Sequence, residues 1–242
     1  MLLCKILFAQ LLLLVCNYTK AQLSAGMEAG FSNNHCNTDI SSMTSTRNKN
    51  KNGYNIGIIA IYNLKRTIAI KTGISLLQKN YSFFRTNEFA GIFEVYRNTY
   101  IQIPTSFQLS LFENNKFKTY FSVGGYVGYW AFGKVKGAMP NIFNSYDSIN
   151  NSGQIAQYLS SSNYSEKYQF NNAKDNRIEL GWLLGIGTDF SLNKKHTFFI
   201  ECNYYQSTTN QQKKYMLNQA NKFNQTILVS FGVLYSFTAK KK

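Results

Sequence analysis

Residues 225–237 read Gln-Thr-Ile-Leu-Val-Ser-Phe-Gly-Val-Leu-Tyr-Ser-Phe. Ile227, Val229, Phe231, Val233, Tyr235 and Phe237 fall on one face, and Leu228, Ser230, Gly232, Leu234 and Ser236 on the other. A period of two sustained over this length is a strand, because a helix would group residues three and four apart. The same alternation runs through 178–190, where Ile178, Leu180, Trp182, Leu184, Ile186, Thr188 and Phe190 oppose Glu179, Gly181, Leu183, Gly185, Gly187 and Asp189. It returns in 101–111, with Ile101, Ile103, Phe107, Leu109 and Leu111 opposite Gln102, Pro104, Ser106, Gln108 and Ser110.

Extended along the chain, the pattern predicts eight strands, at 23–33, 53–64, 67–81, 98–112, 117–133, 176–191, 196–207 and 223–237. All exceed the about 5–6 residues of an average soluble strand and suffice for the about 9–11 residues that a tilted strand needs to cross a bilayer. The connections alternate: 34–52, 82–97, 134–175 and 208–222 are long, while Lys65-Arg66, Glu113 to Lys116 and Leu192 to Lys195 are short. Short turns at one end and long polar loops at the other are the pattern of an outer-membrane barrel. The expected fold is all-β: an eight-stranded antiparallel up-and-down transmembrane β-barrel with short periplasmic turns and long extracellular loops. Phe31, Tyr54, Tyr62, Tyr100, Phe117, Phe190, Phe198 and Tyr235 are expected on the apolar face near strand ends, where interfacial girdles place rings.

The N-terminus agrees with export. Lys5 precedes an apolar run from Ile6 to Val15, and Thr19-Lys20-Ala21 supplies small residues before a cut. That is the pattern of a signal peptide over 1–21, and the run is too short for the ~20 residues of a spanning helix. Cys16 carries a faint lipoprotein-box resemblance, weakened by the bulky Val15 before it. The remaining barrel domain, 22–242, has 24 basic and 11 acidic residues, a net charge of +13, and ends in a basic tail, 238–242. The positive charge collects at Arg47, Lys49 and Lys51, at Lys213 and Lys214, and at Lys240 to Lys242, rather than in one aromatic-interleaved stripe, which argues against nucleic acid. Outer-membrane lipids and lipopolysaccharide are the expected partners of such charge. Only Cys36 and Cys202 follow residue 21, so neither a disulfide framework nor a metal site is expected, and no motif implies a cofactor.

Strand parity turns Glu28, Lys71, Glu179, Asp189 and Glu201 into the lumen, which eight strands make only wide enough for side chains. Such groups form either an ion or proton path or a polar network that plugs the barrel. The need of buried charges for partners favours the plug. Inward glycines, among them Gly26, Gly30, Gly181, Gly185, Gly187 and Gly232, relieve crowding there. Two constellations bear on catalysis. His196 lies beside a short turn, the wrong end for a membrane hydrolase, and His35 shares the first long loop with Ser32 and Asp39. The loop 134–175 offers Tyr146, Tyr158, Tyr164 and Tyr168 among many Asn and Ser, a composition suited to a protein or glycan partner or to a shielding role. Pro104 suggests a bulge.

Tyr100-Ile-Gln-Ile-Pro104 followed by 117–133, FKTYFSVGGYVGYWAFG, resembles the outer-membrane β-barrel family of Bacteroidetes that includes PorT-like proteins. The resemblance implies insertion by the barrel-assembly machinery and brings no catalytic motif. Phe237 departs from the terminal aromatic of many such barrels, since Thr-Ala-Lys-Lys-Lys follows it. The expected function is therefore non-enzymatic: surface interaction, envelope integrity or secretion-system assembly through the long loops. A narrow channel or a membrane-embedded lipid-modifying enzyme is the alternative.

Overall fold

The computed structural model describes residues 22–87, 90–114, 116–193 and 195–237. The expected signal segment, 1–21, and the basic tail, 238–242, lie outside the described residues. The strands are β1 (Gln22–Asn37), β2 (Thr46–Asn63), β3 (Ile68–Gln78), β4 (Tyr81–Arg85), β5 (Phe93–Glu113), β6 (Phe117–Ile149), β7 (Ile155–Lys167), β8 (Ile178–Ser191), β9 (His196–Ser207) and β10 (Phe223–Ser236). One helical turn, α1 (Ile40–Met43), joins β1 to β2.

Antiparallel pairing runs β1–β2–β3–β5–β6–β8–β9–β10 and returns to β1, where Ser24 faces Ser236 and Asn37 faces Phe223. Eight strands thus close into an up-and-down barrel, and each predicted strand has its counterpart. The two additional elements lie beyond the ring. β4 resumes the path of β3 after Lys79 and Asn80 and pairs with β2 and β5. β7 pairs with β6 alone, so the two form a hairpin projecting from the ring.

The outside of the ring is apolar and the inside polar. Met27, Phe31, Ile58 and Leu111 are 66%, 72%, 64% and 64% exposed, whereas Glu28, Lys71, Glu179 and Glu201 are buried. A soluble barrel would invert this, because apolar side chains are driven out of water. Inside, one apolar cluster, Ile59, Ile61, Ala69, Phe199 and Leu234, lies toward the short turns. Another, Leu77, Tyr126, Leu183, Tyr205 and Leu228, lies higher. Glycines seat the inward rings: a Cβ on Gly187 would meet the Tyr120 hydroxyl at 2.5 Å, and one on Gly181 would meet the Tyr126 ring at 2.5 Å.

Three expectations need correction. Three of the four long connections are mostly strand, 208–222 being the exception: β1 extends to Asn37 and β2 starts at Thr46, β5 starts at Phe93, and 134–175 is largely the β6–β7 hairpin with its tip at 150–154. Above the lipid-facing band no bilayer imposes alternation, and the only apolar cluster among the described residues there is the small one of Cys36, Tyr81 and Phe83, so these polar strands carry little period-two signal. Gly153 adopts a positive φ at the tip, where the Asn150 side chain accepts from the Ser152 and Gln154 amides. Tyr100 is buried inside the barrel, because it shares the parity of Gln102 rather than of Ile101. Pro104 stands in unshifted register opposite Tyr126, and the irregularities of β5 fall at Thr99/Tyr100 and Ser110/Phe112 instead.

The inverted faces set different tolerances for charge. Val229→Arg or Leu184→Arg, on the outward face, should each lower stability by about 2–4 kcal/mol when placed near mid-membrane. Ser161→Arg, exposed on β7, should leave the urea midpoint in lipid vesicles unchanged. Equal tolerance at all three positions would show that the outward face does not see lipid.

Candidate functional site

Two ion-paired clusters occupy the lumen. In the one nearer the short turns, Lys71 Nζ donates to Glu201 Oε1 at 3.0 Å and to Glu28 Oε2 at 3.3 Å. Glu28 also accepts from Asn55 Nδ2 at 2.9 Å, and Glu201 from the Tyr120 hydroxyl at 2.8 Å and from Asn203. The Lys71 ammonium lies 4.8 Å from the centre of the Phe199 ring, an added cation–π contact. Beside these groups is a void of about 10 Å³, room for about one water molecule.

The upper cluster joins Lys79 to Glu179. Glu179 accepts from the Tyr126 hydroxyl at 2.8 Å and from Asn224 Nδ2 at 2.6 Å. Lys79 lies between the Tyr126 and Tyr100 rings, at 4.5 and 5.1 Å from their centres. From there hydrogen bonds continue through the Tyr100 hydroxyl to Gln211 and through Asn224 to Asn34 and Thr226. Lys79 shares the inward parity of Lys71 and Leu77, so alternation identifies it as a lumen residue that the sequence reading above does not include.

The structure therefore brings Glu28, Lys71 and Glu201 together and gives Glu179 a different lysine. Asp189 is not an ion-pair partner of Lys71 or Lys79: it faces Lys118 across β6 and β8 at the short-turn end. The reason is axial position, since Asp189 enters the ring one residue before Phe190, the partner of the first residue of β6. With two lysines against Glu28, Glu179 and Glu201, the two clusters carry one uncompensated carboxylate, located with Lys71.

The mouth is sealed by rings. Cys36, Tyr81 and Phe83 form a buried cluster with Tyr96, and Tyr81 stacks on Tyr96 at 5.0 Å. Burial pushes the Cys36 thiol up to about 12, against the opposing pull of Lys222. Burial likewise lowers the Lys222 ammonium, which lies 5.3 Å from the Phe83 ring centre. Trp130 is enclosed by Tyr100, Tyr168 and Phe170.

The four loop tyrosines divide. Tyr164 donates to Glu94 Oε1 at 2.8 Å and Tyr168 to Asp175 Oδ1 at 2.7 Å, so both brace the hairpin root. Burial and those carboxylates raise the pKa of each. Tyr146 and Tyr158 face each other across the exposed hairpin with ring centres 6.0 Å apart. Ser32, His35 and Asp39 are not assembled: Ser32 donates to the Gln78 carbonyl, His35 pairs with Asn50, and Asp39 accepts from Asn221. Among the described residues there is no group of three metal-ligating side chains.

A family model described as "Outer membrane protein beta-barrel domain" matches residues 8–213. No curated protein matches the sequence. Similar solved structures include Neisserial surface protein A, at 9% identity, 90% of this chain, 100% of that chain and a TM-score of 0.47. OprG from Pseudomonas aeruginosa follows at 12% identity, 90% and 96% coverage and a TM-score of 0.44. Ail, the attachment invasion locus protein of Yersinia pestis, solved in complex with the heparin analogue sucrose octasulfate, has 15% identity, 89% and 99% coverage and a TM-score of 0.39.

Removing the shared cation of the lower cluster should be severe. Lys71→Met leaves two facing carboxylates and should lower stability by about 3–5 kcal/mol. Adding Glu28→Gln should recover part of the loss in the same detergent unfolding assay; no recovery would separate the two residues energetically. In a Cys202→Ser background, Cys36 should resist a hydrophilic maleimide at pH 8 until the barrel unfolds, because it is buried and its thiol stays protonated.

Proposed function

The chain belongs to the outer membrane protein β-barrel domain family, and from that premise we propose a non-enzymatic outer-membrane barrel that presents its β6–β7 hairpin to an external protein partner. The observation that carries this reading is the hairpin's surface. Phe143 is 93% exposed, and Ile142, Ile149 and Ile155 are 73%, 70% and 79% exposed. Apolar side chains held clear of both lipid and core mark an interaction surface. The outer edge of β7 pairs with nothing among the described residues, which leaves a row of backbone donors and acceptors open to strand addition.

The lumen supports the same reading. Its charges are engaged with one another and with tyrosines and amides, an arrangement suited to a plug rather than to conduction or proton transfer. Within the family, the run from Tyr100 to Pro104 and the Gly-rich 117–133 favour the PorT-like Bacteroidetes branch. Export through cleavage after Ala21 and periplasmic short turns complete the proposal.

Replacing 141–160 with a two-residue turn should leave a heat-modifiable barrel in the outer-membrane fraction. A photoreactive residue at Phe143 should give discrete protein adducts on whole cells, and Phe143→Ser with Ile155→Ser should abolish protection of the hairpin by that partner. Cysteine placed at Ser161 should label from outside whole cells, and at Lys116 should not. A steady single-channel current that is lost with Glu179→Gln would instead establish a channel. Lipid release by the purified protein would establish an enzyme.

A further inference from the structure

Cations stand directly opposite one another on the outward face above the lipid-facing band. Arg97 on β5 faces Lys134 on β6, and Lys134 faces Lys167 on β7. Lys136, two residues along β6, lies on the same face between Val95 and Ser165. Like charges opposed across adjacent strands are destabilising. Among the described residues none of these four cations forms an ion pair. The nearby carboxylates are directed elsewhere: Glu166 faces Val135 on the opposite side of the sheet, and Glu94 accepts from Tyr96 and Tyr164.

Two of them, Arg97 and Lys136, border a cavity of about 530 Å³. Lys51, Arg97 and Lys136 line it together with Asn80, Asn163 and Ser165, and Phe93 and Val95 supply an apolar wall. Three positive groups, amide and hydroxyl donors and an apolar flank suit a phosphate carried on a sugar with an acyl part. The position agrees. Arg97 lies four residues beyond Ile101, which for a tilted strand is about 10 Å further along the membrane normal. Below it the outward surface continues through Phe132, Tyr129, Ile101 and Ile103, all exposed and apolar. An anion held by Arg97 and Lys136 thus has a hydrocarbon-compatible surface running down from it.

We infer that this cleft binds one phosphorylated glycolipid of the outer leaflet. Arg97 and Lys136 hold the phosphate, with Lys51, Lys134 and Lys167 adding to the local potential, and the acyl part lies along Phe132 and Ile101. The inference stands apart from the protein-binding role of the hairpin tip, since it concerns the hairpin's root. It also explains why opposed cations persist: a bound dianion converts their repulsion into attraction.

The test uses the folded full chain in neutral detergent with a bisphosphorylated lipid A as probe, and native mass spectrometry counts bound lipid. The parent should hold one lipid. Arg97→Gln with Lys136→Gln should bind about tenfold more weakly for each charge-assisted contact removed. Lys65→Gln with Lys116→Gln, the same change in net charge at the short-turn end, should match the parent. Dephosphorylated lipid should bind the parent weakly and no better than it binds the double variant. Without lipid, the Arg97/Lys136 variant should unfold no earlier than the parent, because it loses only repulsion; a purely structural role would make it unfold earlier. Equal binding by both double variants, equal binding of dephosphorylated lipid, or displacement by inorganic phosphate at concentrations comparable to the lipid would overturn the proposal.

Discussion

Everything in this molecule follows from the pairing of β1 with β10. In lipid no water is available to an unpaired backbone amide, so a sheet survives only if its first and last strands join. The register from Ser24 opposite Ser236 to Asn37 opposite Phe223 makes that junction over the full height of the ring and beyond it. Closure at eight strands then dictates the interior. The lumen is only wide enough for side chains, so every inward side chain must be chosen for volume as well as polarity. The outward face has no such restriction and needs only to be apolar.

Those two demands explain what the sequence disclosed. Wherever a residue faces either lipid or lumen, alternation is enforced, and all eight ring strands were legible from it. The pattern in 225–237 is sharp because Val229 and Ser230 sit in media of opposite polarity. Above the ring both faces of β6 and β7 meet water or neighbouring loops, and Ser145, Ser148 and Ser160 fit either side. Nothing there distinguishes strand from loop in one dimension, and the hairpin appeared as a forty-residue connection. The extra residue at Ala131, which lets Tyr100 face Trp130 while Thr99 faces Phe132, was equally invisible.

The lumen was legible by residue but not by partnership. Parity named Glu28, Lys71, Glu179 and Glu201, and the structure buries all four. It did not say that Glu179 pairs with Lys79, or that Tyr120 completes Glu201 and Asn224 completes Glu179. Shear between strands sets those partnerships: Lys71 lies opposite Ile61 on β2, yet its ammonium reaches Glu28, which faces Gly57. A long side chain in a tilted strand acts several residues away from its own register. Axial height, which a linear sequence does not carry, is also what excludes Asp189 from the cluster.

The tyrosines show how volume and charge are solved together. A carboxylate buried in the lumen needs donors to both oxygens, and a lysine alone satisfies only one direction. Tyr120 reaches Glu201 Oε2 while Lys71 takes Oε1; on Glu179, Tyr126 and Lys79 share Oε1 and Asn224 takes Oε2. A phenol is too bulky to be placed beside another ordinary side chain in this space. β8 therefore presents glycine at 187 beneath the Tyr120 hydroxyl and at 181 beneath the Tyr126 ring. The glycines of β8 are thus the steric counterpart of the buried acids. Glycine makes room for the ring, the ring delivers a hydroxyl, and the hydroxyl completes the solvation of a charge that water would otherwise have to enter the barrel to reach.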